Sequence, residues 1–323
     1  MNSTGQRPGE GFIVLRFLAS PTDVADLGGT AVSGGRVLEW IDRAAYACAV
    51  GWSSAYSVTA YVGDVVFDTG INTGDLVEVS AQLVLTRRSS MHIKVTVSAG
   101  AITADRLDER ASCIVVFIAL DPVSRRPTQV RSWEPSTARQ RGDATAASER
   151  IGVRKSIETA MAEQTYSAAG TAPEVVLRFL AAPTDVNWGG KTHGGTVMHW
   201  IEDAASVCAR RWTGQECLAI YCGGIRFYRP VLIGNLVEVT ARLLHTGRTS
   251  MHIAVHVRSA DPKTGDYSLT THCLTVFVAI AEGSAVVAPT WHPHSDEDRR
   301  LDTHAQELMR LRARSDVNPG PDN

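Results

Sequence analysis

Residues 185–203 read DVNWGGKTHGGTVMHWIED, and residues 23–42 read DVADLGGTAVSGGRVLEWID. The two stretches are versions of one another. Each runs from Asp-Val through a Gly-rich loop to a Gly-Gly pair, then into a pattern with helical spacing. The second carries Asn187 and His193 where the first has neither, and the first ends on Asp42 where the second has Glu202.

The likeness extends well beyond this stretch. LRFLASPTDV at Leu15 returns as LRFLAAPTDV at Leu177, an offset of 162. DLVEVSAQLVLTRRSSMHIKV at Asp75 returns as NLVEVTARLLHTGRTSMHIAV at Asn235, an offset of 160, with 13 of 21 positions identical. Two residues are therefore lost in repeat 2 within the loop, between the counterparts of Val24 and Gly34. A period near 160 marks a duplicated domain, not a short-period solenoid. The 323 residues and 44% hydrophobic content suit about two domains with sizeable cores. The expected divisions are 12–122 and 173–282 for the two repeats, with a polar connector over 123–172 and a polar tail over 283–323. Trp133 and Trp291 each precede a polar segment with helical character. In the connector the expected helix runs from Glu149 to Gln164.

Within each repeat a short strand leads through the Gly-rich loop to one helix of about 17 residues. Runs with strand-like alternation and β-branched enrichment follow, such as DLVEVSAQLVLT and ASCIVVFIAL. One long helix followed by an antiparallel meander predicts an α+β domain whose sheet wraps around that helix.

Net charge is −2, from 32 Lys and Arg against 34 Asp and Glu. That balance excludes a general nucleic-acid binder. No apolar run reaches the ~18 residues of a membrane span, and the polar start MNSTGQRPGEG lacks the apolar centre of a signal peptide. Six cysteines form no CxxC pair. Four of them fall at matching repeat positions inside apolar runs, Cys48 with Cys208 and Cys113 with Cys273. This is the pattern of buried thiols in a reducing compartment, so a cytoplasmic location is expected.

The helix pattern singles out a carboxylate. At ~100° per residue, Ile41, Asp42, Ala45, Cys48 and Ala49 lie within ~80° of Leu38. Asp42 thus falls inside the apolar stripe, while Glu39 and Arg43 fall outside it. Glu202 takes the same place in repeat 2, with Asp203 outside. A carboxylate in an apolar face is costly unless paired or used. A Gly-Gly pair stands seven residues before each of these carboxylates. Glycine permits close approach of a ligand, and a helix start offers unpaired N–H groups suited to an oxyanion. A carboxylate hydrogen-bonded at a domain seam, and a plain helix cap, are the non-catalytic readings of the same pattern.

The sequence from Asp185 to Ala205, followed by GGIRFYRPVLIGNLVEVTARLLHTGRTSMHI, resembles hotdog-fold acyl-coenzyme A thioesterases. The duplicated chain resembles the tandem, double-hotdog acyl-CoA hydrolases. The resemblance covers roughly residues 12–120 and 174–281. It implies two hotdog units sharing one continuous sheet, active sites at the seam, and further association of the chain into a homo-oligomer, a trimer of double hotdogs. It implies acyl-CoA as substrate, with no separate cofactor and no metal. Carried over by position, one site takes Asp42 from repeat 1 with Asn187, His193 and the Gly194 amide from repeat 2. The reciprocal site, with Glu202 and Gly34, has Ala25, Asp26 or Leu27 at the Asn position and Ser33 at the His position, and is expected to be impaired. The phosphates of coenzyme A need cationic partners. Arg248, Lys191 and Arg226 are the candidates, with Arg229 beside them. Arg88 matches Arg248 in the repeat, which gives Arg248 an equally available structural role. Two other functions remain open from sequence: a hydratase or dehydratase of the same fold, and an acyl-CoA-binding module without catalysis.

Overall fold

A computed structural model describes residues 11–24 and 30–313. Repeat 1 contains β1 (Phe12–Leu18), α1 (Gly34–Ser53), β2 (Ser57–Val62), β3 (Val65–Phe67), β4 (Asp75–Thr86), β5 (Ser90–Ala101) and β6 (Asp108–Ala119). The connector holds α2 (Ala138–Ala162). Repeat 2 contains β7 (Glu174–Leu180), α3 (Gly194–Thr213), β8 (Glu216–Phe227), β9 (Leu236–Thr246), β10 (Ser250–Ala260), β11 (Ser268–Ala281) and the short β12 (Ser284–Ala285). Helix α4 (Asp296–Ala313) follows.

The strands make one antiparallel sheet in the order β1-β4-β5-β6-β2-β8-β11-β10-β9-β7. The repeats join in the middle, where Tyr61 pairs with Arg226 and Val62 with Ile225, and where β3 bridges β6 and β8. This is the double hotdog that the resemblance implies. The alternation read from sequence sets the register. In β4, Val77, Val79, Ala81 and Leu83 point inward and are wholly buried, and their repeat-2 counterparts Val237, Val239, Ala241 and Leu243 do the same.

Helix α1 begins where Ser33 accepts the Arg36 N–H and ends at Ser54 in a left-handed conformation. Its face of Leu38, Ile41, Ala45 and Ala49 is fully buried against the sheet. Each large residue so buried contributes roughly 1.5–3 kcal/mol of apolar transfer. Helix α3 repeats the arrangement, and the two helices pack side by side across the seam. The second glycine of each pair makes that approach possible. A Cβ on Gly35 would lie 2.4 Å from His199 Cδ2, and one on Gly195 would lie 2.9 Å from the Glu39 Cα.

Two expectations change here. The connector helix starts at Ala138, eleven residues before Glu149, because Thr137 and Gln140 form a reciprocal cap that the polar composition hides. Glu39, placed outside the apolar stripe, is 7% exposed. It faces the other repeat's helix, where His199 Nδ1 lies 3.0 Å from its Oε1. The wheel counted only the face turned to its own sheet. Helix α4 covers the outer face of repeat 2, and α2 runs over both repeats: its Ile157 and Met161 join Leu301, Ala305 and Leu308 on Leu244, Ala254 and Leu274, and its Asp143 pairs with Lys94 of β5 at 2.9 Å. All six cysteines are free and buried. No helix among the described residues is long and apolar enough to cross a membrane.

Candidate functional site

Asp42 is 1% exposed and sits at the α1–α3 seam. Its Oδ2 accepts the Gly195 N–H at 2.8 Å and lies 3.0 Å from His193 Nδ1. Its Oδ1 accepts the Thr59 hydroxyl at 2.7 Å. The buried carboxylate that the helix pattern flagged is therefore paired, and two of its three partners come from the other repeat. An ionised carboxylate can only accept, so His193 donates to Asp42 through Nδ1.

His193 is the residue before helix α3, and its ring caps no backbone group of that helix. The ring instead points across the seam. Edge-on contacts with Tyr46 and Trp188 hold it, and those two rings stack on each other with centroids 4.6 Å apart. Because the Gly195 N–H is committed to Asp42, the Gly194 N–H is the helix-start donor left beside it on the cavity wall. A Cβ on Gly194 would meet Thr59 Oγ1 at 2.8 Å and Asp42 Oδ1 at 3.1 Å, so only glycine fits between them.

Asn187 organises its own loop. Its Oδ1 accepts the N–H groups of Gly189 at 2.8 Å and Lys191 at 3.1 Å, and Tyr56 of repeat 1 adds a longer bond at 3.4 Å. Its Nδ2 donates to the Thr192 carbonyl at 3.3 Å. The second amide hydrogen has no partner among the described residues. Asp42, Asn187, His193 and Gly194 all line one cavity of about 240 Å³. Tyr46, Tyr56, Phe117, Phe227 and Tyr228 give it aromatic walls.

Of the expected coenzyme A ligands, Lys191 lines this cavity, as does Arg229. Arg226 and Arg248 do not. Arg226 is tied to Glu158 of the connector helix at 2.9 Å, a partner that repeat comparison cannot supply. Arg248 sits on the β9–β10 turn, where its carbonyl receives the Ala288 N–H. Arg88 does the same for Val130, so the matched pair has a backbone role in the turn.

The reciprocal position also has a cavity, of about 110 Å³, lined by Ser33, Gly34 and Glu202. Ser33 serves as the cap of α1, and Ala219 replaces Thr59 at the offset of 160. Ala25, Asp26 and Leu27 lie outside the described residues. Burial, and then the Asp203 charge, push the Glu202 carboxyl from 4.5 up to about 7, although His199 and the Gly35 amide pull partly back.

Thr59 and Tyr56 are the residues that sequence reasoning missed. The signal was present in the repeat alignment: Thr59 faces Ala219, and Tyr56 faces Glu216. Among the described residues no group of three His, Cys, Asp or Glu is placed to hold a metal.

The thioesterase superfamily profile matches residues 29–103 and 189–265, once in each repeat. The acyl-CoA thioester hydrolase YciA of Salmonella typhimurium is 31% identical over 110 residues, covering 33% of this chain and 83% of YciA. The chain belongs to the thioesterase superfamily. This thioesterase is also similar to protein VdlD of Helicobacter pylori, at 26% identity over 147 residues, covering 46% of the chain and 84% of VdlD. A Lactobacillus plantarum structure, provisionally named an oleoyl thioesterase, covers 84% of the chain and 97% of its own length. Its TM-score is 0.59 at 7% identity, which speaks for the shared double fold alone. The thioesterase is thus a thioester hydrolase with a hotdog domain in each repeat.

Proposed function

We propose that the chain hydrolyses acyl-CoA to a free carboxylic acid and coenzyme A, at one composite pocket per chain. The observation that carries this reading is the Asp42 carboxylate. It comes from repeat 1, is bonded to His193 Nδ1 and the Gly195 N–H of repeat 2, and lies beside a free helix-start amide. The Gly194 N–H, at the positive end of α3, polarises the thioester carbonyl and stabilises the oxyanion. Asn187 presents an amide hydrogen to the carbonyl or the attacking water. Asp42 takes the proton of that water as general base. Thr59 and the Gly195 amide hold the carboxylate in place. His193 buttresses Asp42 through Nδ1, and the proton that Asp42 takes from water passes to the sulfur as the C–S bond breaks, so that coenzyme A leaves as the thiol. The Glu202 pocket lacks the threonine and histidine counterparts, which supports a single working site.

The buried free thiols support a reducing, cytoplasmic setting, and the exposed Leu18 and Leu180 on the two sheet edges, each 58% exposed, support a homo-oligomer.

The test is thiol release from a panel of acyl-CoAs of different chain length. Asp42→Asn should lower kcat by about 10²-fold or more. Its folding should be preserved, since an amide oxygen can keep the Gly195 bond. Binding without thiol release in the wild type would refute hydrolysis. Full turnover in a folded Asp42→Asn protein would refute the base.

A further inference from the structure

Hydrolysis consumes one water for every acyl group released, and the cavity that Asp42 lines is small. An acyl thioester seated in about 240 Å³ between aromatic walls displaces the water already there. The water that attacks must then reach Asp42 by a way the substrate does not fill.

The wall behind His193 offers such a way. On its far side lies a second, more open recess of about 550 Å³, lined by Arg43, Asp185, Asn187, Trp188, His193 and Thr196. His193 and Asn187 line both spaces. Tyr46 lines the catalytic cavity, Trp188 lines the recess, and their rings stack with 5° between the planes. The His193 ring and this stack are therefore the partition between Asp42 and the recess. It is one imidazole thick, and that side chain is itself 18% exposed.

The two sides differ in kind. The recess carries the charged Arg43 and Asp185, whereas the cavity has Tyr56, Phe117, Phe227 and Tyr228 in its walls. Trp188 is 72% exposed, an uncommon position for so large a side chain. Its ring contacts are Tyr46 and His193, and no hydrogen bond holds the indole among the described residues. A ring held on one face and open on the other turns within roughly nanoseconds, fast against enzymatic turnover. At the Glu202 cavity the counterparts of Tyr46 and His193 are Ser206 and Ser33. The aromatic partition thus accompanies the complete set of catalytic groups.

Resting on the acyl-CoA reading above, we infer that the recess is the water entrance of the Asp42 site and that Trp188 is its lid, setting the size of nucleophile that passes. Substrate and water then reach Asp42 from different sides, and an occupied cavity still receives its second reactant.

Alcohols test this, because they replace water in the same reaction. The alcohol oxygen attacks the thioester carbon, its proton passes to Asp42 and on to the sulfur, and an ester leaves with the coenzyme A thiol in place of the acid. The ratio of ester to acid reports what reaches Asp42, whatever fraction of the enzyme is folded. In the wild type the ratio should be measurable with methanol and lower by about tenfold or more with 1-propanol at equal concentration, the scale on which a pocket discriminates added methylenes. Trp188→Ala should raise the 1-propanol ratio about tenfold, with kcat for hydrolysis little changed. Trp188→Phe keeps a ring on Tyr46 and should behave as the wild type. Tyr228→Ala opens the cavity away from the recess and should leave the 1-propanol ratio where it was. An unchanged ratio in Trp188→Ala would overturn the inference. So would an equal rise in Tyr228→Ala, which would bring the nucleophile in from the cavity side. Absence of ester from methanol in all of these proteins would overturn it too, since a route open to water admits so small an alcohol. If no acyl-CoA releases thiol, the hydrolytic reading fails; thiol release with unaltered ratios rejects the water route alone.

Discussion

Replacing Gly189 with alanine tests how the Asn187 loop is held. A Cβ at this position would lie 2.1 Å from the Tyr56 hydroxyl and 2.2 Å from its Cζ. Ordinary contact begins near 3.4 Å, so at least 1.3 Å must be found by moving the loop or the ring. The loop cannot yield without its neighbour, because the Gly189 and Lys191 N–H groups both bind Asn187 Oδ1. A shift of about 1 Å in a positioning group can cost ~10²-fold in rate. We therefore expect kcat for Gly189→Ala to fall by about 10²-fold, with a stability loss of about 1–3 kcal/mol from overpacking. Tyr56→Ala removes the obstruction and a long hydrogen bond, and should cost about tenfold or less. In the double variant Tyr56→Ala/Gly189→Ala, turnover should match Tyr56→Ala alone, since the three atoms nearest to that Cβ all belong to Tyr56. Steady-state thiol release on the four proteins, with thermal melts alongside, measures this. Near wild-type turnover for Gly189→Ala would refute the argument. So would a double variant whose losses multiply.

Asn187→Ala should lower turnover and should do so non-additively with Asp42→Asn, as kinetics of the single and double variants would show, because both groups serve one transition state. Glu202→Gln should leave thiol release near the wild-type level; a fall as deep as that of Asp42→Asn would mean that the second pocket works. The same variant has a pH signature. The folded Glu202 keeps its proton up to about pH 7, whereas the unfolded chain loses it near 4.5. Stability should fall as pH rises through that window, by about 3 kcal/mol for this group. In Glu202→Gln that part of the fall should be absent in denaturant titrations at pH 4.5 and 8. Light scattering at micromolar concentration should give a mass above the 34.8 kDa of one chain.

Much of this architecture is legible in the sequence because duplication supplies an internal alignment. The offsets of 162 and 160 divide the chain, and strict alternation in β4 and β9 sets which side chains face the helices. The apolar stripe marks Asp42 and Glu202, and the Gly-Gly spacing marks the helix starts. What escaped depends on contacts between distant segments. Glu39 looks solvent-facing on a wheel and is buried by a helix 160 residues away. Arg226 looks available and is bound by Glu158 from the connector. Thr59 sits on a strand of ordinary composition, and only its change to alanine in repeat 2 distinguishes it.

The seam between α1 and α3 also bears on how the pocket behaves on dilution. In a pair of separate hotdog chains, a pocket built from both would come apart as the concentration fell below their dissociation constant. Here the connector and the shared central strands keep the two halves together within one molecule, so the second half is present at an effective concentration that dilution leaves untouched. Asp42 and His193 meet whenever a single chain folds. Activity per chain should then hold constant down to nanomolar enzyme, even where any larger assembly has dissociated.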